Sequence, residues 1–285
     1  MPRLTSPDRV IVETPDVCVG EFRCPTTHPA FRNSGPSSHF CFAFPRTAVL
    51  IRHSGARILA DANLATLYNE GQEYEREAVS PRGDLCEWFA VSPRVLRDIL
   101  ASRDRDAADD ARRPVRFTHA PVDPALYLTQ RHIYLRALRG DADPLWLEEA
   151  VIDLADRVFD AAYGERVLPA ESSRRAREVV HDTRELLARD LAAPLALSEV
   201  ADAVGASMFH LSRCFRALTG RTLHDHRTQL RLRASLEALE GSERDIARVA
   251  LDVGYSSHSH FTAAFGHVFG DTPSRVRDVL RRRSK

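Results

Sequence analysis

Residues 195–220, LALSEVADAVGASMFHLSRCFRALTG, and 245–273, DIARVALDVGYSSHSHFTAAFGHVFGDTP, hold the same small unit twice. Val200, Ala201, Val204 and Gly205 recur 49 residues later as Val249, Ala250, Val253 and Gly254. Past the glycine the interval becomes 50: Ser207, Leu211, Phe215 and Gly220 answer to Ser257, Phe261, Phe265 and Gly270. An in-phase repeat of this size marks two copies of one supersecondary unit, the second with a turn one residue longer.

Each copy reads as helix, tight turn, helix. Leu197, Val200, Ala201 and Val204 form one apolar stripe at spacings of three and four. Gly205 follows, where the chain needs a residue that tolerates left-handed backbone angles. Ser207 then offers an N-cap for the next helix. On that helix Leu211, Cys214, Phe215 and Leu218 share one face. Phe209, Ser212, Arg213 and Arg216 share the opposite one, within an arc of roughly 100°. A helix that packs on one side and offers an aromatic, a hydroxyl and two arginines on the other suits a DNA major groove. Arginine forks onto guanine edges or reaches phosphates, and a serine hydroxyl serves either role.

The stretches Leu197-Ser198-Glu199-Val200-Ala201, Val204-Gly205-Ala206-Ser207 and His210-Leu211-Ser212-Arg213-Cys214-Phe215 resemble the first helix-turn-helix of AraC/XylS-type transcription regulators. Asp252-Val253-Gly254-Tyr255-Ser256-Ser257, His260-Phe261, Phe265, Phe269-Gly270 and Thr272-Pro273-Ser274 resemble the second-motif signature of that family. Two motifs, their spacing and the helix from Thr222 to Leu239 between them agree. Two departures stand out: Ala196 occupies the usual place of a capping Thr or Ser, and Ala263 that of a basic residue. The resemblance implies an all-α C-terminal domain whose long helix holds two recognition helices about one DNA turn apart, roughly 34 Å. It also implies contact with RNA polymerase as an activator.

Length and charge are consistent with this division. A chain of 285 residues allows two domains. The formal net charge is zero, yet from Glu171 onward there are nineteen Lys and Arg against fifteen Asp and Glu, so the basic excess lies with the repeat. Nearly every basic residue is arginine. No secretory signal is expected at Met1–Gly20, and no run approaches the roughly 18 apolar residues of a membrane span. Cys18, Cys24, Cys41, Cys86 and Cys214 are scattered without a CxxC, which fits a reducing cytoplasm.

Upstream of the repeat, residues Met1–Gly35 read as irregular. His39–Phe44, Ala48–Ile51, Arg57–Ala60, Leu64–Tyr68 and Asp84–Val91 read as short strands punctuated by Ser54-Gly55 and Asn69-Glu70-Gly71, with a last strand at Arg116–Ala120. This spacing predicts an antiparallel sheet or β-barrel. Asp61, Asn69, Gly71 and Tyr74 resemble the cupin-like sensor half of one AraC subgroup. A helix starting at Pro93 breaks in the charged stretch Arg103–Arg113. Pro124–Leu138 and Pro144–Tyr163 read as amphipathic helices, which suit either a dimer seam or a cover for the sheet. Gly164–Ser173 is the expected linker, and Arg174–Asp190 a helix entering the repeat. The expected architecture is therefore α+β: a cupin-like sensor domain at 1–120, a helical dimerisation or relay segment with linker at 121–170, and a DNA-binding domain at 171–285.

The expected base-reading residues are Phe209, Ser212, Arg213 and Arg216 on the first recognition helix and His258, Ser259 and Thr262 on the second. Ser207 and Ser257 are expected to meet phosphates besides capping their helices. The expected partners are double-stranded DNA, RNA polymerase by resemblance, a small-molecule effector and a second copy of the chain, with no membrane. No catalytic residue, cofactor or metal is expected. His258 and His260 are only two apart, so a helix does not aim them together. His28, His39, His53 and His119 form no His-x-His cluster of the kind a cupin oxygenase needs. A cupin-type enzyme tethered to a DNA-binding unit is the alternative reading. The Pro-Cys-His-Arg pattern of a DNA-alkylation repair methyltransferase, which carries a similar DNA-binding unit, is absent.

Overall fold

The computed structural model describes residues 6–32, 35–53, 55–164, 174–241 and 245–281. They fall into two compact units, residues 6–164 and 174–281. Most of the expected linker, residues 165–173, lies outside the described residues.

The first unit runs β1 (Asp8–Glu13), β2 (Val17–Cys24), a 3-10 turn (Pro29–Phe31), β3 (Cys41–Pro45), β4 (Val49–His53), β5 (Ala56–Ala60), β6 (Leu64–Tyr68), β7 (Glu75–Ala78) and β8 (Asp84–Val91). Then come α1 (Pro93–Ala101), α2 (Arg105–Ala108), β9 (His119–Pro121), α3 (Pro124–Arg139) and α4 (Pro144–Gly164). All pairings are antiparallel. The strands form two sheets, a six-stranded one ordered β1-β2-β8-β3-β6-β9 and a three-stranded one ordered β5-β4-β7. Among the described residues the hydrogen bonding does not close into one ring.

The N-terminal segment corrects the sequence reading: it holds two strands rather than irregular chain. Pro15 and the charges of β1 masked them. Yet β2 is an interior strand, buried along nearly its whole length between β1 and β8. β7, Glu-Arg-Glu-Ala, carries no apolar signal because its one buried side chain is an arginine.

Register sorts the larger sheet into two faces, since successive side chains alternate. One row runs Cys18, Ala90, Cys41 and Tyr68; the next Gly20, Trp88, Ala43 and Thr66; then Phe22, Cys86 and Pro45; then Cys24 and Asp84. Cys18, Phe22, Cys24, Ala43, Tyr68, Trp88 and Ala90 of these rows meet Val49, Ile51, Ile58 and Ala60 of the smaller sheet in one core. Gly20 is needed in this row: a Cβ there would lie 2.2 Å from the Trp88 ring, which crosses it. The opposite face carries Glu21, Glu87, Phe42, Phe44 and Phe89, all buried. There Tyr134 of α3 donates to Glu21 Oε2 at 2.5 Å, and Arg131 meets Glu87 Oε1 at 2.5 Å. Burial of such ions is tolerable only because each is paired.

A cavity of about 280 Å³ remains between the two sheets. It is lined in part by Phe22, Thr66, Tyr68, Tyr74, Arg76 and Trp88. Burial pushes the Cys41 thiol up to about 11 and raises that of Cys86 as well, which disfavours both thiolates.

The second unit is helical: α5 (Arg174–Arg189), α6 (Leu197–Ala203), α7 (Met208–Thr219), α8 (Leu223–Gly241), α9 (Ile246–Asp252), α10 (His258–Phe269) and α11 (Pro273–Arg281). α5 contributes Val179, Val180 and Leu187 to a core with Val200, Ala201, Val204, Leu211, Cys214 and Phe215. Tyr255, Phe261, Phe265 and Phe269 pack edge-on or tilted in succession in the second copy, with centroids 5.4, 5.6 and 4.7 Å apart.

Candidate nucleic-acid interface

The repeat seen in the sequence is repeated in the hydrogen bonding. The turn after α6 is closed by Ala206 N–H donating to Ala201 O, and the turn after α9 by Tyr255 N–H donating to Ala250 O, both at 2.9 Å. Ser256 is the extra residue of the second turn. Gly205 and Gly254 both sit at positive φ, 61° and 86°. At Gly254 a side chain is excluded twice over, because a Cβ would also lie 2.8 Å from the Ala192 backbone.

Ser207 Oγ accepts from His210 N–H and Ser257 Oγ from His260 N–H, both at 3.2 Å, so α7 and α10 start alike. Gly220 and Gly270 end them in the left-handed region. Thr222 and Thr272 then cap α8 and α11.

α7 presents two opposed faces. Leu211, Cys214 and Phe215 are buried. Phe209 is 76% exposed, Arg213 and Arg216 are exposed, and Ser212 is half-buried beside them. Most exposed arginines of this unit are engaged. Arg189 pairs with Glu185, Arg248 with Asp252 and Arg275 with Asp271, each within one helical turn. Neither Arg213 nor Arg216 pairs with any described residue. Two unneutralised guanidiniums and an exposed phenyl on one helix face form a surface able to meet base edges and phosphates together. Met208, which the sequence reading passed over, is 51% exposed next to Phe209. Its signal was only positional: it follows the cap, where a helix residue projects outward.

α10 is milder. His258 and Ser259 are exposed and Thr262 is half-buried, its hydroxyl 3.3 Å from His258 Nε2. Ala263 and Gly266 stand where α7 has Arg213 and Arg216. His260 packs its ring edge-on to Tyr255 at 5.3 Å, a structural role. Ser207, Phe209, Ser212, Arg213 and Arg216 thus gather along α7, and Ser257, His258, Ser259 and Thr262 along α10.

Both motifs hang on α8, whose arginines bind the chain ahead of α6. Arg231 Nε donates to Leu191 O at 2.6 Å, and Arg227 donates to Ala193 O. Arg175 of α5 donates to Val204 O and Gly205 O, holding the first turn. Ala196 begins α6 with no side-chain acceptor; Glu199 supplies half a capping box by accepting from Ala196 N–H at 2.7 Å.

A family model described as a helix-turn-helix domain matches residues 200–278. The regulatory protein SoxS of Escherichia coli K12 is 34% identical over 103 residues, which is 36% of this chain and 96% of SoxS. The HTH-type transcriptional regulator GlxA of Rhizobium meliloti is 30% identical over 193 residues, covering 60% of this chain and 58% of GlxA. A solved AraC-type regulator from Chromobacterium violaceum aligns at 23% identity and a TM-score of 0.36, over 39% of this chain and all of that one. A duplicated helix-turn-helix with one unneutralised arginine face, matched along nearly the whole of SoxS, places the chain in the AraC/XylS family of DNA-binding transcriptional regulators.

Proposed function

We propose that the protein is a ligand-responsive transcriptional activator of the cytoplasm, with residues 171–285 as its DNA-binding domain, and that α7 dominates its sequence discrimination. One observation carries the discrimination: Arg213 and Arg216 stand exposed and unpaired beside Phe209, while α10 offers no cation at the matching places. Phe209, Ser212, Arg213 and Arg216 read bases. His258, Ser259 and Thr262 read or position more weakly, and the N-termini of α7 and α10, with Ser207 and Ser257, hold phosphates. The sensor part, residues 1–120, takes a small effector into the cavity between the sheets. Residues 121–170 pair two copies, for which the exposed Leu138 and Leu145 supply apolar surface. Effector binding shifts a population between DNA-competent and idle forms that contact RNA polymerase differently.

The enzyme alternative receives no such support. The relatives are regulators. Selection of duplexes from a randomised pool by the full chain tests the proposal. The expected result is two short elements about one helical turn apart, the better-defined one facing α7. Recovery of no sequence preference refutes it.

A further inference from the structure

Each motif's glycine turn lies against an arginine, but the two arginines work differently. A Cβ at Gly205 would lie 3.2 Å from Arg175 Nη2, and Arg175 donates to Val204 O and Gly205 O, within its own copy. A Cβ at Gly254 would lie 2.8 Å from Arg231 Nη2. Arg231, however, donates across to the other copy, its Nε to Leu191 O at 2.6 Å and its Nη2 to Ala193 O at 3.4 Å. The turn of the second motif thus touches a side chain whose hydrogen bonds hold the approach to the first.

That approach is a fixed corner. Asp190 Oδ1 accepts from Ala192 N–H at 2.9 Å and from Ala193 N–H at 3.0 Å. The carbonyls of the corner go to α8, where Arg227 also donates to Ala193 O. Gly254 meets the corner directly: its Cβ would fall 2.8 Å from Ala192 Cα and 3.0 Å from Ala192 O. A planar guanidinium suits this place, because its fork reaches two carbonyls in fixed directions while its edge lies against a third segment.

The position along α8 gives the contact its consequence. The first copy packs on the first turn of α8, where Leu223 joins its core and His226 meets the Phe215 ring edge-on at 5.4 Å. Attachment near one end of a rod leaves a swing about that end. Arg227 and Arg231 lie one and two turns further along and remove it. On B-DNA one base pair shifts an element by about 3.4 Å and turns it by roughly 35°, so a small swing between α7 and α10 is the difference between two spacings.

We propose that Arg231 sets operator spacing: by locking the 190–193 corner against Gly254 it holds α7 and α10 in one mutual orientation, so that two DNA elements are accepted at one separation and rejected one base pair away. The assignment rests on reading α7 and α10 as joint readers of one duplex. Arg231 acts by positioning and does not touch DNA.

Mobility-shift titration of the full chain tests this on the duplex selected from the randomised pool and on versions with one or two base pairs inserted between its two elements. Thermal unfolding first establishes that each variant is folded at the assay temperature. For the unmodified protein one inserted pair is expected to weaken binding by at least about fivefold, the cost of a single mismatched base pair. In Arg231→Met the same insertion should cost no more than about twofold, the scatter of independent changes. Arg231→Lys keeps the charge but not the fork and should relax spacing in the same way; it carries the test if the methionine variant does not fold. Arg227→Met reaches the same corner without touching Gly254, so its spacing penalty should remain. If it relaxes spacing as far as Arg231→Met, anchoring of the corner alone is responsible and the assignment to Arg231 fails. A loss in Arg231→Met that is equal at every spacing, restored by lysine and accompanied by a fall of about one in the salt slope, would mean a phosphate contact and overturns the proposal. An unmodified protein that binds all spacings alike overturns it too, while the two-element reading stands. Selection of a single element sinks both.

Discussion

The two helix-turn-helix copies share their inward residues and their caps but not their outward ones. Leu211 and Phe215 have Phe261 and Phe265 as counterparts, all fully buried, and Ser207 and Ser257 make the same capping bond at the same length. Outward, Phe209, Arg213 and Arg216 face Ser259, Ala263 and Gly266. A scaffold duplicated to hold two helices leaves its exposed positions free to differ, because those positions contribute little to packing. Stability is therefore expected to be shared between the copies, and specificity to be concentrated in one.

The largest expected effect is on the shared part. Phe215→Ala and Phe265→Ala each remove a fully buried ring, at a cost of about 3–5 kcal/mol. Denaturant unfolding of the C-terminal unit should show similar losses for both. A much smaller loss at Phe265 would mean that the second copy is only loosely packed, and the comparison would have to include stability as well as readout.

The next effect divides the copies. Arg213→Ala is expected to weaken specific DNA binding by about 1–3 kcal/mol, roughly fivefold to 150-fold. Thr262→Ala, whose hydroxyl is occupied in part by His258, should change it by less than about threefold, the scale of a modest surface substitution. Mobility-shift titrations of both variants at one fixed salt concentration make the comparison, since affinity for DNA varies steeply with salt. Equal losses would break the asymmetry. Restoring the cation with Ala263→Arg sharpens it: binding should strengthen, and a base preference should appear opposite α10.

A smaller effect concerns the first helix of each copy. α9 begins at Asp245, whose carboxylate accepts from Ala247 N–H at 3.1 Å, whereas Ala196 at the start of α6 has nothing to offer. Ala196→Ser should stabilise the C-terminal unit by about 1 kcal/mol, and Asp245→Ala should destabilise it by about as much. Thermal unfolding at constant pH reads both. No gain at Ala196 would show that Glu199 alone already satisfies the start of α6.

Much of this was legible before the structure. The duplicated motif could be read because buried residues, glycines and caps recur in phase, and each such position tolerates few residue types. Five strands between Cys41 and Val91 could be read because their apolar runs stop at turn residues. β1 and β2 could not: charges such as Arg9, Glu21 and Arg23 break the pattern, since Glu21 is buried by pairing with Arg9, Arg23 and Tyr134, partners remote or unremarkable in sequence. Arg76 was hidden for the same reason. A buried arginine is defined by what surrounds it, and Asp84, Tyr74 and Phe22 converge on it only once the strand register is fixed. Exposure of Phe209 was legible from its angular place on the helix; what it meets there was not.

That contact supplies the smallest expected effect and the finest test of the asymmetry. A phenyl ring exposed on a groove-reading helix has one apolar group on base edges to meet, the methyl of thymine. If Phe209 packs against such a methyl, replacing that thymine by deoxyuridine in the selected duplex removes one buried methyl. The cost is then about 0.8 kcal/mol, roughly fourfold in affinity. The same replacement should cost nothing in Phe209→Ala, so the two changes should be non-additive, whereas deoxyuridine opposite α10 should be neutral in both proteins. Additive losses would place Phe209 away from the bases. The readout of α7 would then rest on its arginines alone, and Met208, exposed one residue earlier, would become the side chain to substitute next.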